Sequence, residues 1–364
     1  FIVKRSNEFL IIDGKVSENP ADSIEISFNR LNLAGLNKLE RNRTGEDNKK
    51  IDFILEGFLN GDILLTDIYN KPMFETDISI NDFKTNDHEH GEVKLLSKWN
   101  SADKLAVLSA SNNVDGRNTF KVSGDYDPAG RRLDLLAAVD SIPLDILNIF
   151  LQSFASDVDG LGSGSVSIVS NEEKLSLNGS VLAEDASMTI DYLQSNFSFS
   201  DSIIFDDNKL VFDNISLSDN RGNNAVLDGN VSHEKFRKWG VDLRVDADNV
   251  LVFDTRPEDN SLFYGTAFAS GLITIRGPAK NLDFNISAST ERNTRMFIPL
   301  RSGEEIDDYT FIRFREPENG EKRNIPVNLP SIAADGERRI SLNFELDVTP
   351  DAEVQLVFDS NLGD

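Results

Sequence analysis

The chain of 364 residues contains no cysteine. This absence excludes a disulfide scaffold, thiol catalysis and Cys-ligated zinc. Histidine is scarce as well, with three residues, and 37 Lys and Arg stand against 62 Asp and Glu, for a formal net charge of −25. An acidic field of this size repels nucleic acid and anionic membrane surfaces, because phosphate binding needs Lys and Arg to replace counterions. Nucleic-acid binding is therefore excluded as a main function.

Long hydrophobic runs are also missing from the sequence. The stretch from Leu135 to Val139 is among the longest, whereas a membrane-spanning helix needs roughly 20 apolar residues. The sequence begins at Phe1 with no signal-peptide pattern behind it. We expect the chain to be a piece of a longer protein.

What the sequence does contain is alternation of apolar and polar residues, with a period of two. Clear examples run from Leu133 to Val139, from Trp239 to Ala247 and from Ile340 to Val348. Strand side chains point alternately to opposite faces, so this pattern predicts strands with one apolar and one wet face. Turn clusters rich in Asn, Asp and Gly separate the runs, as at 125–130 and 219–224. The predicted fold class is all-β, a long antiparallel meander rolled into an elongated β-groove with an apolar lumen; two stacked β-sandwiches remain the alternative.

One segment departs from the alternation. Pro143 suits a first helical position, and the apolar residues that follow it have helical spacing, which predicts a short amphipathic helix around 143–156. Gly160, Gly162 and Gly164 come next and are interpreted as a hinge. The predicted division is a β-groove segment at 1–140, the helix and hinge at 141–160, and a second β-groove segment at 161–364. Residues 301–336 alternate less clearly and predict a long loop or excursion.

Motifs that could support catalysis or metal binding are weak. His88 and His90 flank Glu89, but a third ligand is not evident nearby, so a solvated loop is favoured over a metal site. Adjacent carboxylates such as Asp307 and Asp308 are expected by chance in so acidic a chain. We therefore predict no catalytic residue, no metal site and no cofactor.

The apolar stripe itself is the candidate site, and it is rich in Phe. One short helix cannot cover the apolar face of so many strands, so something else must cover that face. Lipid acyl chains are the natural candidate, because an open apolar surface is otherwise an aggregation hazard. The predicted lipid-facing residues of the lumen are Phe197, Phe199, Ile203, Phe205, Phe212, Ile215, Leu217, Leu227, Val231, Val241, Leu243, Val245, Phe284, Ile286, Leu342, Phe344 and Leu346.

The second half of the chain resembles the C-terminal region of the TamB family, the translocation and assembly module subunit related to AsmA-like bridge proteins, particularly its Bacteroidota-type members. The similarity extends over about 200 residues in a fixed order, whereas residues 1–140 share only the style of alternation. The segments that carry it include Gly164 to Ile168, Leu177 to Ala186, Asn208 to Asn214, Leu227 to His233, Leu262 to Gly271, Ile275 to Pro278, Thr290 to Leu300, Phe311 to Phe314 and Val348 to Val354.

The resemblance implies a periplasmic β-groove that is anchored in the inner membrane by an N-terminal helix and reaches an Omp85-type barrel, TamA-like or BamA-like, in the outer membrane. It implies phospholipids as cargo and membranes at both ends of the full-length protein. From this resemblance we expect the anchor and the C-terminal end of the family to lie outside residues 1–364.

Two functions are expected from these observations. The first is transport of phospholipid acyl chains along the groove between the two membranes, which supports outer-membrane biogenesis and needs no enzyme activity. The alternative is a platform that assists assembly of outer-membrane β-barrel proteins with an Omp85-type partner, by lending strands through an exposed sheet edge.

Overall fold

The predicted fold class, an all-β antiparallel meander, is confirmed by the structure. The structure is a computed structural model that describes residues 2–5, 7–35, 54–85, 88–151, 155–236, 238–260, 263–300, 326–328, 332–334 and 338–358. The first ten strands are β1 (Ile2–Arg5), β2 (Glu8–Gly14), β3 (Ser23–Asn32), β4 (Leu55–Thr66), β5 (Met73–Thr85), β6 (His88–Asn100), β7 (Leu105–Asn113), β8 (Phe120–Asp127), β9 (Arg132–Pro143) and β10 (Ala155–Ser170).

The remaining strands follow along the chain. They are β11 (Leu175–Ile190), β12 (Ser195–Asp207), β13 (Lys209–Asp219), β14 (Asn224–Glu234), β15 (Lys238–Thr255), β16 (Tyr264–Pro278), β17 (Asn281–Thr290), β18 (Arg295–Leu300), β19 (Pro326–Asn328), β20 (Ile332–Ala334), β21 (Arg338–Asp347) and β22 (Glu353–Phe358). Helical structure in the described residues is limited to the 3-10 turns Leu33–Gly35 and Leu144–Leu147 and to one helical turn, α1 (Asn148–Leu151).

The chain divides into two compact units. Unit 1 comprises Phe1–Gln152, Gly160–Leu182 and Ile204–Asn208, and unit 2 comprises Ser153–Asp159, Ala183–Ile203 and Lys209–Asp364. The division predicted from the sequence, with boundaries at 140 and 160, stays a prediction.

Within unit 1, each strand from β1 to β9 pairs antiparallel with the strand that follows it, ending with the pair of β9 and β10. Short turns suffice for such a meander, because antiparallel neighbours need no crossover connection. The Asn, Asp and Gly clusters of the sequence supply these turns, as where Asn171 Oδ1 accepts the amide N–H of Glu173 at 2.9 Å between β10 and β11.

Within unit 2, β13 to β17 form the same antiparallel series, and β16 also pairs with β18. Two parallel pairs then break the pattern, β17 with β21 and β18 with β22. Parallel strands require a longer connection, and here it runs through the segment at 301–336, where the sequence predicts an excursion. Short strands β19 and β20 lie in that segment and pair with β21; residues 301–325 lie outside the described residues.

A recurring β-bulge interrupts the strands. In β13 the register shifts between Phe212 and Ile215, and Asn214 takes a positive φ of 53° there. The amide N–H of Asn214 donates to Asp228 Oδ1 at 2.9 Å, and the residue after Asp228, Gly229, faces Phe212. A bulge adds one residue to a strand and increases its twist. The extra residue keeps Phe212 and Ile215 on one face although they are three positions apart.

The same arrangement recurs in four other places in the described strands. In each, a residue with positive φ donates its amide N–H to the polar side chain that precedes a glycine on another strand. The donors and acceptors are Arg30 with Asn60, Ser141 with Ser163, Asp207 with Asn178, and Asn249 with Ser270. These glycines are therefore part of the sheet geometry.

The helix predicted around 143–156 is shorter than expected. Helical residues extend from Leu144 to Leu151, and β10 begins at Ala155. Gly160, Gly162 and Gly164, interpreted from the sequence as a hinge, lie inside β10, which shifts register between Gly162 and Gly164. The glycines serve the bulge at Ser141, so the strand continues through them. Among the described residues, no helix has the length and apolarity needed to cross a bilayer.

Candidate functional site

In unit 2, strand register places the apolar residues in rows that run from strand to strand. Directly paired residues of neighbouring strands lie on the same face of a sheet. The central row passes through Ile215, Leu227, Val245, Ile273, Ile286 and Phe344, and the second through Phe212, Gly229, Leu243, Ile275, Phe284 and Leu342. A third row passes through Leu217, Ala225, Ala247, Gly271, Ala288 and Leu346. We call these three rows the unit 2 apolar face.

The unit 2 apolar face is long enough to hold an acyl chain. Each row crosses five strand intervals of about 4.8 Å, or roughly 24 Å in all. One leaflet of a bilayer contributes about half of its hydrocarbon thickness of ~30 Å, or about 15 Å. A row therefore exceeds the depth that an acyl chain occupies in its own leaflet.

The apolar side chains of this face are partly buried, and a few are fully buried. Ile215, Ala225 and Ala247 are buried, whereas Leu227, Val245 and Leu243 are intermediate, as are Ile273, Ile275, Phe284 and Ile286. The opposite face is polar: Arg276 Nε donates to Asp242 Oδ1 at 2.9 Å across β15 and β16. The two faces of the same strands thus differ in polarity.

Most of the predicted lumen residues share this face. The three rows contain Phe212, Ile215, Leu217, Leu227, Leu243, Val245, Phe284, Ile286 and Leu346. Val231 and Val241 pair with each other in the next row. For Leu342 and Phe344 the backbone register gives their positions, and their side chains lie outside the described residues. Whether these residues bind lipid stays a prediction.

The predicted residues of β12 divide between the two units. Phe197 packs with Leu217 and Val245 against the buried cluster of Ala225, Ala247 and Val250. Phe199 and Ile203 also belong to unit 2, whereas Phe205 belongs to unit 1. The lipid-facing role of these four residues stays a prediction.

Sequence reasoning missed several members of the rows in unit 2. Ile273 and Ile275 of β16 occupy central positions, and Ala225, Ala247 and Ala288 complete the third row. Alternation within β16 is obscured because Leu272 also interrupts the polar face. Ile273 and Ile275 are assigned to the apolar face because they pair with Val245 and Leu243. Pairing between strands cannot be read from the sequence of one strand alone.

Unit 1 carries an apolar face of its own, for which no site residues were predicted. One of its rows passes through Leu10, Phe28, Gly61, Ile78, Leu95, Ala110, Val122, Ala137 and Val166. A neighbouring row passes through Ile12, Ile26, Ile63, Thr76, Ser97, Leu108, Gly124, Leu135 and Ile168. We call these rows the unit 1 apolar face.

The helical segment after β9 rests against the apolar side of unit 1. Gly162 pairs with Ile142, and a Cβ placed on Gly162 would lie 2.9 Å from Leu144 Cδ2 and 3.4 Å from Val181 Cγ1. Leu144 therefore occupies the space that a larger residue at 162 would fill. The next residue, Asp145, is buried, and its Oδ2 lies 3.0 Å from Nδ1 of His88 on β6. This pair fastens the 3-10 turn to the first part of β6.

His90, two residues further along β6, is buried, so the solvated loop favoured from the sequence is wrong for this residue. Its side chain is 3% exposed, contacts the ring of Phe83 at 5.4 Å between centroids and hydrogen-bonds through Nε2 to Thr85 Oγ1. Burial lowers the pKa of His90, opposed by the carboxylate of Asp145 and reinforced by His88. The neutral ring is therefore the form that suits the folded state.

We expect the stability of unit 1 to fall on mild acidification through His90. Because the folded-state pKa lies below the unfolded value of about 6.5, the unfolded chain binds the proton more readily. The stabilisation is fully present above pH 6.5 and is lost as the pH falls through the folded pKa. Urea unfolding from pH 7.5 to 5, followed by the fluorescence of Trp99 in a Trp239→Phe background, measures this loss.

The matched control for this prediction is His88→Gln, since His88 is the more exposed member of the pair with Asp145. His90→Gln should flatten the pH dependence in this window, whereas His88→Gln leaves His90 in place and should keep the loss that His90 causes. Equal pH dependence in the His90→Gln variant and the unmodified chain would contradict the assignment.

Unit 2 also contains a buried hydrophobic cluster. Phe253, Phe263, Ala267 and Met296 are buried together, and Leu193, Val252, Ile298 and Val354 pack against them. The rings of Phe253 and Phe263 lie 4.6 Å apart. This cluster gives unit 2 a conventional core beside the partly buried rows.

The rows of unit 2 extend from β13 to β21, through one continuous stretch of sequence. Residues 213–362 match the family model of the TamB C-terminal domain. The TamB-like segment therefore includes most of the unit 2 apolar face, beginning within β13 and continuing past β22. The resemblance stated for residues 164–212 lies outside the matched range. Comparison with curated proteins and with solved structures returns no match.

Proposed function

We propose that this chain binds phospholipid acyl chains on its apolar sheet faces and carries them between the inner and outer membranes. The observation that supports this most directly is the row register of unit 2, which aligns apolar residues across six strands. The match to the TamB C-terminal domain supports a role in outer-membrane assembly. Location in the periplasm is part of the same proposal.

In the proposed mechanism, acyl chains lie along the rows and head groups stay in water at the margin of the sheet. Covering each CH₂ group is favourable by about 0.8 kcal/mol. Because Ile, Leu, Val and Phe repeat from strand to strand, neighbouring positions offer similar contacts. A lipid can therefore shift from one row position to the next without first exposing its whole chain to water, and no catalytic group is required.

The full-length protein is proposed to contact both membranes and an Omp85-type barrel, TamA-like or BamA-like. The second candidate function is assistance to barrel assembly by strand donation to such a partner. It is favoured by the last described strand: β22 pairs in parallel with β18, which leaves its second edge available among the described residues. An available edge can accept a further strand by main-chain hydrogen bonding.

Native mass spectrometry of the 364-residue chain, purified from a membrane-containing host, distinguishes these functions. We expect mass increments that correspond to phospholipids, identified after extraction. A folded chain without lipid would contradict acyl-chain binding, and it would favour strand donation, which needs no bound lipid.

A further inference from the structure

The turn between β14 and β15 carries residues that the turn geometry disfavours. Lys235 and Phe236 both have positive φ, 49° and 59°. Asn and Gly are the usual residues at such positions, because other side chains are strained there. A bulky aromatic residue in this conformation is uncommon and indicates that its presence serves something other than the turn itself.

The ring of Phe236 is held outward on a platform of aromatic side chains. It stacks on His233 with centroids 4.5 Å apart and lies 6.1 Å from Trp239. The amide N–H of Phe236 donates to His233 Nδ1 at 3.4 Å. His233 is 1% exposed, whereas Phe236 is 53% exposed. The turn therefore presents a fixed apolar ring to solvent.

Basic residues flank Phe236 in the sequence, and another lies in the neighbouring turn. Lys235 precedes it, and Lys238 is 80% exposed and pairs with Glu234 at 2.7 Å. Trp239 O accepts the amide N–H of Ala279 at 2.9 Å, which places the turn that contains Lys280 beside the hairpin. The sequence adds Arg237, which lies outside the described residues. Glu234 to Trp239 thus carries three cations and one carboxylate, in a chain whose net charge is −25.

We propose that this hairpin tip, formed by Lys235, Phe236, Lys238 and Trp239, docks onto a membrane surface that contains anionic phospholipids. Aromatic rings favour the boundary between head groups and acyl chains, and Lys side chains are attracted to anionic lipids. The many carboxylates elsewhere oppose docking weakly, because at 0.15 M salt charges more than about 8 Å from the surface are screened. The proposal does not depend on acyl chains binding to the apolar faces.

Vesicle flotation with the 364-residue chain tests the proposal. The chain should bind vesicles of phosphatidylcholine with about 30% phosphatidylglycerol more tightly than vesicles of phosphatidylcholine alone, because only the former carry a negative surface charge. The double variant Lys235→Gln with Phe236→Asn should bind the anionic vesicles at least about fivefold less tightly, since one Lys near such a surface contributes ~1 kcal/mol. Asn tolerates positive φ, so the turn itself should be preserved.

The matched control is Tyr69→Asn with Lys71→Gln, which removes an exposed aromatic residue and a lysine from the turn between β4 and β5. Tyr69 is 61% exposed, but Asp67 lies in the same turn and no cluster of cations surrounds it in the sequence. The control should bind anionic vesicles like the unmodified chain. The proposal would be overturned if the unmodified chain bound both vesicle types equally. It would also be overturned if Lys235→Gln with Phe236→Asn bound the anionic vesicles as tightly as the unmodified chain does.

A second readout reports the contact itself. In a Trp99→Phe background, Trp239 is the sole tryptophan, and brominated lipids in anionic vesicles should quench its fluorescence. Trp239 lies on the same side of β15 as Leu243, so quenching is also measured in Ile275→Glu with Phe284→Glu, which is expected to lose the lipid bound to the unit 2 apolar face and should keep this quenching. Loss of extracted phospholipid with retained vesicle quenching separates the two proposals, and absence of quenching in the unmodified background contradicts docking by the hairpin.

Discussion

The double variant Ile275→Glu with Phe284→Glu is expected to bind at least about tenfold less phospholipid than the unmodified chain. The two residues pair directly across β16 and β17 in the second row of the unit 2 apolar face. A carboxylate against acyl chains must be desolvated without a partner, at a cost of several kcal/mol or by taking up a proton. Native mass spectrometry after lipid extraction measures the loss.

The matched control places two glutamates on the other face of the same strands. Thr274 and Asn285 also pair directly, one position along from Ile275 and Phe284. Thr274→Glu with Asn285→Glu adds the same charge to the polar face and should retain lipid. Both variants must keep the β-sheet circular dichroism spectrum of the unmodified chain. Equal lipid loss in the two variants would show that added charge, rather than the apolar face, is responsible.

The variant Gly229→Ala should lower the free energy of unfolding of unit 2 by about 3 kcal/mol or more. Gly229 has a φ of +124°, and a Cβ there would lie 2.1 Å from the carbonyl oxygen of Asp242. Alanine therefore meets both backbone strain and a clash with backbone atoms of β15. The displacement would also disturb Asp228, which accepts the amide N–H of Asn214 at the bulge.

Gly222→Ala separates the two causes of this loss. Gly222 also has positive φ, +86°, but nothing lies within 4 Å of an added Cβ. Its substitution should cost about 1 kcal/mol from the backbone alone. Urea unfolding of both variants, followed by Trp239 in a Trp99→Phe background, gives the comparison. Similar losses at 229 and 222 would contradict a steric role for Gly229 in the bulge.

Much of the fold follows from the alternation of apolar residues. A period of two predicts strands wherever it continues, and the Asn, Asp and Gly clusters predict the turns between them, which is why the all-β meander is confirmed. Alternation also predicts that Leu227, Val245 and Ile286 lie on the apolar side of their strands, since apolar and polar residues alternate regularly around each of them.

The bulges limit what alternation can predict. At Asn214 the apolar face changes from even to odd positions, from Phe212 to Ile215. A one-residue slip reverses the faces of a strand, so the lumen side of β13 depends on a hydrogen bond to Asp228 on another strand. A polar residue followed by glycine in mid-strand, as at Asp228 and Gly229, is the sequence signal that marks the facing bulge.

Two further features depend on contacts distant in sequence. Helical spacing after Pro143 predicts a helix through 156, but pairing of β10 with β9 takes Leu161 and the glycines after it into the sheet. The parallel pairs of β17 with β21 and β18 with β22 were not predicted, because alternation gives the faces of a strand and not its neighbour.

Photo-crosslinking along β15 tests most directly whether the apolar face binds phospholipid. A photoreactive phenylalanine analogue is placed singly at Leu243 and Val245, on the unit 2 apolar face, and at Arg244 and Asp246, on the polar face. The 364-residue chain is expressed in cells whose phospholipids carry a radioactive label and is irradiated there. Labelled crosslinks at Leu243 and Val245 but not at Arg244 and Asp246 are the predicted result. Crosslinks of equal yield at all four positions, or at none of them, would contradict acyl-chain binding on this face.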